Sequence, residues 1–166
     1  MQDPNSFSNF ANRSSSKWRR FPEEVLPMHV AEMDFDVAKP IRDRISQMVA
    51  NSDLGYQGLF PEIGPAFQEF ALNRWGWKIE PGGIKLANDV ASAAVEILRA
   101  VTIPGEKVLI NSPVYASFFG WLKEAQCEPA DAPLYLDGDT WKLDLVAIRE
   151  QFESGVKVYL LCSPQN

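Results

Sequence analysis

VKVYLLCSPQN, residues 156–166, is the stretch whose reading decides the fold. Val156, Val158, Tyr159, Leu160 and Leu161 make a short apolar, partly β-branched run that only Lys157 interrupts. Bounded by Gly155 and Pro164, a run of that length reads as a buried strand. In open parallel sheets, ligands sit beyond the carboxyl ends of strands. Ser163, Pro164, Gln165 and Asn166 stand at such an end, so the written sequence stops inside an expected binding site.

Moving outward toward the N-terminus, short strand patterns alternate with helical ones as far back as Ile84. Ile84 to Ala87 is a candidate strand, and Val90 to Val101 an amphipathic helix rich in small residues. Pro104-Gly105 turns into a firm strand at Lys107 to Asn111, followed by a helix at Pro113 to Ala125. Glu128 to Pro133 reads as a short edge-like strand, Asp137-Gly138 as a turn, and Asp144 to Phe152 as a helix. This alternation predicts an α/β unit, a mostly parallel sheet covered by helices.

The segment before residue 80 lacks that rhythm. The first 16 residues are rich in Ser and Asn, and Pro22 and Pro27 keep the next stretch from regular helix. Pro40 opens a helical pattern in which Ile41, Ile45, Met48 and Val49 share a face. A loop containing Gly55-Tyr56 leads to a second helix from Pro61 to about Trp75. The expected organisation is therefore 1–83, an arm and helical segment, and 84–166, the α/β domain.

Bulk properties exclude several functions. The chain has 166 residues, 46% of them hydrophobic, enough for a proper core and too many for general disorder. A formal net charge of -6 argues against nucleic-acid binding, which needs a basic face. The cluster Lys17, Trp18, Arg19 and Arg20 reads as part of a solvated N-terminal segment. No apolar stretch approaches the roughly 20 residues that span a bilayer, and the N-terminus lacks a signal peptide's apolar region. A cytoplasmic protein with no membrane partner is expected. Cys127 and Cys162 lack CxxC spacing and read as buried thiols, and with a single His29 a zinc site is not expected.

Three strand ends can carry chemistry, and each has a plainer reading. Asn88-Asp89-Val90-Ala91-Ser92 enters a helix whose free N–H groups suit an anion, yet Asn88 or Asp89 could simply cap it. After the next strand, Tyr115 could lie flat against a planar ring or pack at a helix start. Asn166 could bond a ring substituent or serve a turn. Neither GxGxxG nor GxxxxGK[ST] occurs, so dinucleotide and P-loop sites have no support.

SPVYASF at Ser112 to Phe118 and LLCSPQN at Leu160 to Asn166 resemble landmarks of the class I/II aminotransferase superfamily, the pyridoxal-phosphate enzymes of fold type I. Upstream, KWRRFPEEVLPMHVAEMDFDVAKPI with the following Gly55-Tyr56 resembles the cystathionine β-lyase-like C–S lyase branch. The ordered set covers Lys17 to Asn166. It implies a partial, three-layer fold type I large domain with an N-terminal arm or small-domain segment, and pyridoxal 5'-phosphate as cofactor. By the same resemblance Tyr115 would stack on the pyridine ring and Asn166 would bond its 3-oxygen. Backbone N–H groups of Val90, Ala91 and Ser92 would hold the phosphate. Tyr56 would reach across a homodimer interface toward the partner's cofactor phosphate, and Ala31 would lie near an amino-acid substrate.

The chain departs from the branch at three positions: Glu32 replaces the usual Asp, His29 a frequent Trp, and Gln165 a frequent His. These leave lyase and transaminase both open. Glu32, Asp34 and Asp36 could suggest a metal cluster, but the resemblance makes them structural. The family's Schiff-base Lys, its Asp partner for the pyridine nitrogen and its carboxylate-gripping Arg have no match here. The chain is expected to be an N-terminal piece of a C–S β-lyase acting on a sulfur amino acid such as cystathionine, inactive by itself. The alternatives are a true aminotransferase and a non-catalytic binding protein of the same fold.

Overall fold

The computed structural model describes residues 13–56 and 60–166. The chain falls into two compact units, Met1–Phe60 and Pro61–Asn166. Compactness thus divides it at residue 60, whereas the sequence reading divides it by expected role at residue 83.

In the first unit, α1 (Ser16–Arg19) is a single turn. Beneath it Lys17 is buried, and its ammonium donates to the Glu32 carbonyl at 2.8 Å and to both carboxylate oxygens of Asp34 at 2.8 Å. This corrects the expectation of a solvated segment. The lysine stem lies under the chain that folds back over it, and a buried ammonium needs those acceptors. Arg13 donates to the carbonyls of Met33 (3.3 Å) and Asp34 (3.1 Å). An irregular stretch with two prolines is thereby pinned by two cations rather than by backbone pairing. Next, α2 (Lys39–Ala50) carries Pro40 in its first turn, where the missing N–H costs nothing. Its predicted apolar stripe of Ile41, Ile45 and Val49 is more than half exposed.

The second unit opens with α3 (Ile63–Trp75), two residues beyond its predicted start. Gly76 ends it in the left-handed region at φ 63, with its N–H bonded to the Leu72 carbonyl at 3.0 Å. Gly64 lets this helix approach the turn at Pro81–Gly83 closely, since a Cβ there would meet the Pro81 carbonyl oxygen at 2.8 Å. Then come α4 (Val90–Val101), β1 (Lys107–Ile110), α5 (Ser117–Glu124) and β2 (Glu128–Asp131). The order finishes with β3 (Tyr135–Asp137), β4 (Thr140–Lys142), α6 (Leu145–Glu153) and β5 (Val158–Tyr159).

The main sheet has order β2-β1-β5, and both pairings are parallel. Central β1 buries Val108, Leu109 and Ile110 completely, as a strand covered on both faces must. The two-residue period sends Val108 and Ile110 to one face, where they pack with Leu98 of α4 and with Phe118 and Leu122 of α5. Leu109 faces the other way, into Ala130, Ala132 and Val156, with Ala147 and Ile148 of α6 beside them. Helices therefore cover both faces, and the unit is the expected three-layer α/β sandwich. Each large side chain so buried contributes about 1.5–3 kcal/mol of transfer free energy.

Four details differ from expectation. Ile84–Ala87 is not a strand; Ile84 is extended (φ -84, ψ 128), but a strand exists only by pairing and no ladder reaches it. The helix expected from Pro113 begins at Ser117, because the preceding residues form the loop that leaves β1. The last ladder shrinks to Val158–Tyr159, although the Leu160 N–H still donates to the Leu109 carbonyl at 2.9 Å. The antiparallel hairpin β3–β4 went unread except for its turn, where Gly138 takes φ 59. Among the described residues no helix is long and apolar enough to cross a membrane.

Candidate functional site

The carboxyl ends of β1, β2 and β5 are joined by a network of polar side chains. Asn111, 3% exposed, follows β1 and donates from Nδ2 to the Ala132 carbonyl at 2.7 Å. The Tyr159 hydroxyl of β5 donates to Asn111 Oδ1. Burial holds that phenol's pKa above its ordinary value. One residue further, the Ser112 N–H and hydroxyl donate to the two carboxylate oxygens of Asp131, at 2.9 and 2.5 Å. Leu134 N–H in turn donates to the Ser112 carbonyl at 2.7 Å.

This loop presents Tyr115. Its ring meets Phe118 at 6.5 Å and Trp121 at 5.9 Å, both edge-on, and remains 46% exposed. A half-exposed aromatic steadied by two neighbouring rings can receive a planar ring. The loop after β5 is tied to it: Gln165 Nε2 donates to the Pro113 carbonyl at 2.6 Å and to the Asn111 carbonyl at 3.4 Å. Asn166, next in the chain, is exposed. Tyr115 and Asn166 thus stand on two loops that one side chain joins.

The start of α4 resolves the question of cap or anion site partly in favour of the cap. Asp89 accepts from the Ser92 N–H at 2.7 Å and from the Ser92 hydroxyl at 3.1 Å. The Ser92 N–H above all, then its hydroxyl, hold the Asp89 carboxyl below its ordinary value. Ser92, expected among the phosphate donors, is therefore engaged by a carboxylate. Val90, at the first helical position, is 76% exposed, and its N–H has no acceptor within the helix. The Ala91 N–H also turns toward the Asp89 carboxylate, so of the three expected donors Val90 is the one left to an outside anion, beside a fixed negative charge.

The two remaining candidates lie in the first unit. Ala31 is exposed on the segment that Lys17 and Arg13 pin. The Tyr56 side chain is fully exposed at 106%, and the residues after it, 57–59, lie outside the described ones. Glu32, Asp34 and Asp36 form no metal centre: Ser15 and Arg13 face Glu32, Lys17 faces Asp34, and Arg13 is 3.9 Å from Asp36. Among the described residues no cluster could hold a metal ion. Cys127 is buried as expected, whereas Cys162 is half-buried and donates to the Pro164 carbonyl at 3.3 Å.

Residues 23–166 match the family described as aminotransferase class I and II. The chain belongs to that family. Among aminotransferase-family relatives, a Mycobacterium tuberculosis protein provisionally named cystathionine beta-lyase is 37% identical over 165 residues, 94% of this chain. The Corynebacterium glutamicum cystathionine beta-lyase is 28% identical over 93% of it. A solved Corynebacterium diphtheriae structure, provisionally described as a PLP-dependent beta-cystathionase, superposes with a TM-score of 0.88 at 30% identity over the whole chain. Cystalysin from Treponema denticola, whose structure contains a pyridoxal 5'-phosphate cofactor, gives 0.83 at 25% identity. The chain spans 40% of the length of the two curated relatives and 42% of the beta-cystathionase.

Proposed function

We propose that this chain carries the ring- and phosphate-binding part of a pyridoxal 5'-phosphate enzyme, a C–S β-lyase acting on a sulfur amino acid such as cystathionine. What carries the reading is the half-exposed Tyr115 ring, on a loop that Gln165 ties to the loop bearing Asn166. Tyr115 supports the pyridine ring and Asn166 donates to its 3-oxygen. The Val90 N–H holds the phosphate, and those of Ala91 and Ser92 join it where Asp89 releases them. The cofactor, when bound, supplies an electron sink for bond cleavage beside the substrate's α-carbon.

Ala31 lines the substrate side, and Tyr56 serves the partner's site in a cytoplasmic homodimer. On this reading the lysine that links to the cofactor is none of the chain's own, since none matches the family's position for it. Names of relatives at 28–37% identity support a lyase over a transaminase.

Titrating the purified chain with pyridoxal 5'-phosphate, followed by quenching of tryptophan fluorescence, tests the cofactor reading. Weak saturable binding that Tyr115→Ala abolishes is expected, with no single lysine fixed by borohydride. Binding indifferent to Tyr115, or stoichiometric fixation at one lysine, would overturn it. In the whole enzyme, release of pyruvate and ammonia from cystathionine supports the lyase, and amino-group exchange with a 2-oxo acid the transaminase.

A further inference from the structure

Asn111 occupies a place where an apolar residue would serve a core better. It extends the buried run Val108, Leu109 and Ile110, and a side-chain amide there costs stability unless its polar atoms find partners. Oδ1 and Nδ2 each find one, and each partner lies on a different element. Nδ2 reaches the chain leaving β2 at Ala132, and Oδ1 receives the Tyr159 hydroxyl from β5. Its main-chain carbonyl receives Gln165 from the loop beyond β5. The next residue, Ser112, is held by Asp131 through two more bonds.

We propose that Asn111 is a positioning residue, which with Tyr159 and Gln165 presets the turn carrying Tyr115 to receive the cofactor ring. The inference rests on the pyridoxal-phosphate reading above. Its physical content is preorganisation: a turn ordered before the ligand arrives leaves less conformational entropy to be lost on binding. Downstream of the clasp, the Tyr115 carbonyl accepts the Phe118 N–H at 3.0 Å, so the same turn also starts α5. Freedom at Asn111 therefore becomes freedom of the ring that stacks.

Two variants test this. Tyr159→Phe removes one hydroxyl and leaves Asn111 Oδ1 buried without its donor. Gln165→Glu keeps shape, loses the N–H donors and sets a carboxylate against two carbonyls, at an exposed site where the fold is not at stake. In each, amide hydrogen exchange across 112–118 rises about tenfold, as the loss of one such bond implies. Exchange in β1 stays within about twofold of the parent chain, and Gln165→His, which restores a donor, recovers part of the protection at 112–118. The dissociation constant for pyridoxal 5'-phosphate rises in parallel.

The proposal is overturned if exchange at 112–118 is unchanged in both variants. It is equally overturned if exchange rises uniformly through β1, the mark of a purely structural bond. Should the parent chain fail to bind the cofactor, the functional reading falls, while exchange at 112–118 still decides the role of Asn111.

Discussion

Replacing Lys17 by Met removes the ammonium and keeps the buried stem. The lost contacts are those to the Glu32 carbonyl and to both oxygens of Asp34, all at 2.8 Å. Stranding a fully buried partner costs about 3–5 kcal/mol, but Asp34 is 36% exposed and can rehydrate once its partner has gone. Charge-assisted bonds of this kind are worth about 1.5–3 kcal/mol, so Lys17→Met is expected to cost about 2 kcal/mol. The reverse change, Asp34→Asn, leaves a charge 8% exposed with only neutral acceptors, and should cost more, about 3 kcal/mol. Amide exchange of peptides covering 13–36 reads both as acceleration, roughly thirtyfold and a hundredfold. An acceleration below about threefold for Lys17→Met would show that the pair is cosmetic. The opposite ranking of the two variants would show that burial does not set the cost.

Leu109→Ala should lower stability by about 3–4 kcal/mol in urea unfolding, toward the upper part of the range for such truncations. Its neighbours Ala130, Ala132 and Ala147 are too small to close the cavity, so a loss under about 1 kcal/mol would contradict the packing described. The Asp89 cap makes the start of α4 acid-sensitive. Its folded pKa is lowered, so its stabilisation is complete above the unfolded value of 3.8 and is lost as pH falls through the lower folded value. The Ser92 amide resonance should titrate with a midpoint below 3.8 and cease to titrate in that range in Asp89→Asn; a midpoint at or above 3.8 refutes the cap.

The alternation of apolar strands and amphipathic helices was legible because β1 and its covering helices obey local periodicity. α4 was read to its exact ends, since Asp89 and Thr102 flank an uninterrupted small-residue pattern. Ile84 to Ala87 misled because apolar content marks burial and extension, whereas a ladder needs a partner. Strands β3 and β4 are three residues each, too short for any period to show. In the candidate site, Tyr115 and Asn166 were singled out by motif, and Asp89 by cap chemistry. The clasp of Asn111, Tyr159 and Gln165 escaped, being built across separations of 48 and 54 residues. Its one local trace was a polar residue closing an apolar strand. Lys17 was misjudged because a charge cluster reads as surface until the acceptors 15 and 17 residues away are seen.

The order of strands in the parallel sheet has a consequence for the growing chain. Leu109 pairs in register with Ala130 on one side and with Tyr159 on the other. At about 5–20 residues per second of synthesis, β5 is made a few seconds after β2. Throughout that interval β1 has one edge satisfied and the other bare, with Leu109 uncovered on the face that α6 will close. A ribosome that pauses between β2 and β5 holds the nascent chain in its most adhesive form, an apolar strand with a free hydrogen-bonding edge. Synonymous codons that stall the ribosome after β2 has cleared the exit tunnel and before β5 has done so should therefore lower soluble yield without changing a single residue.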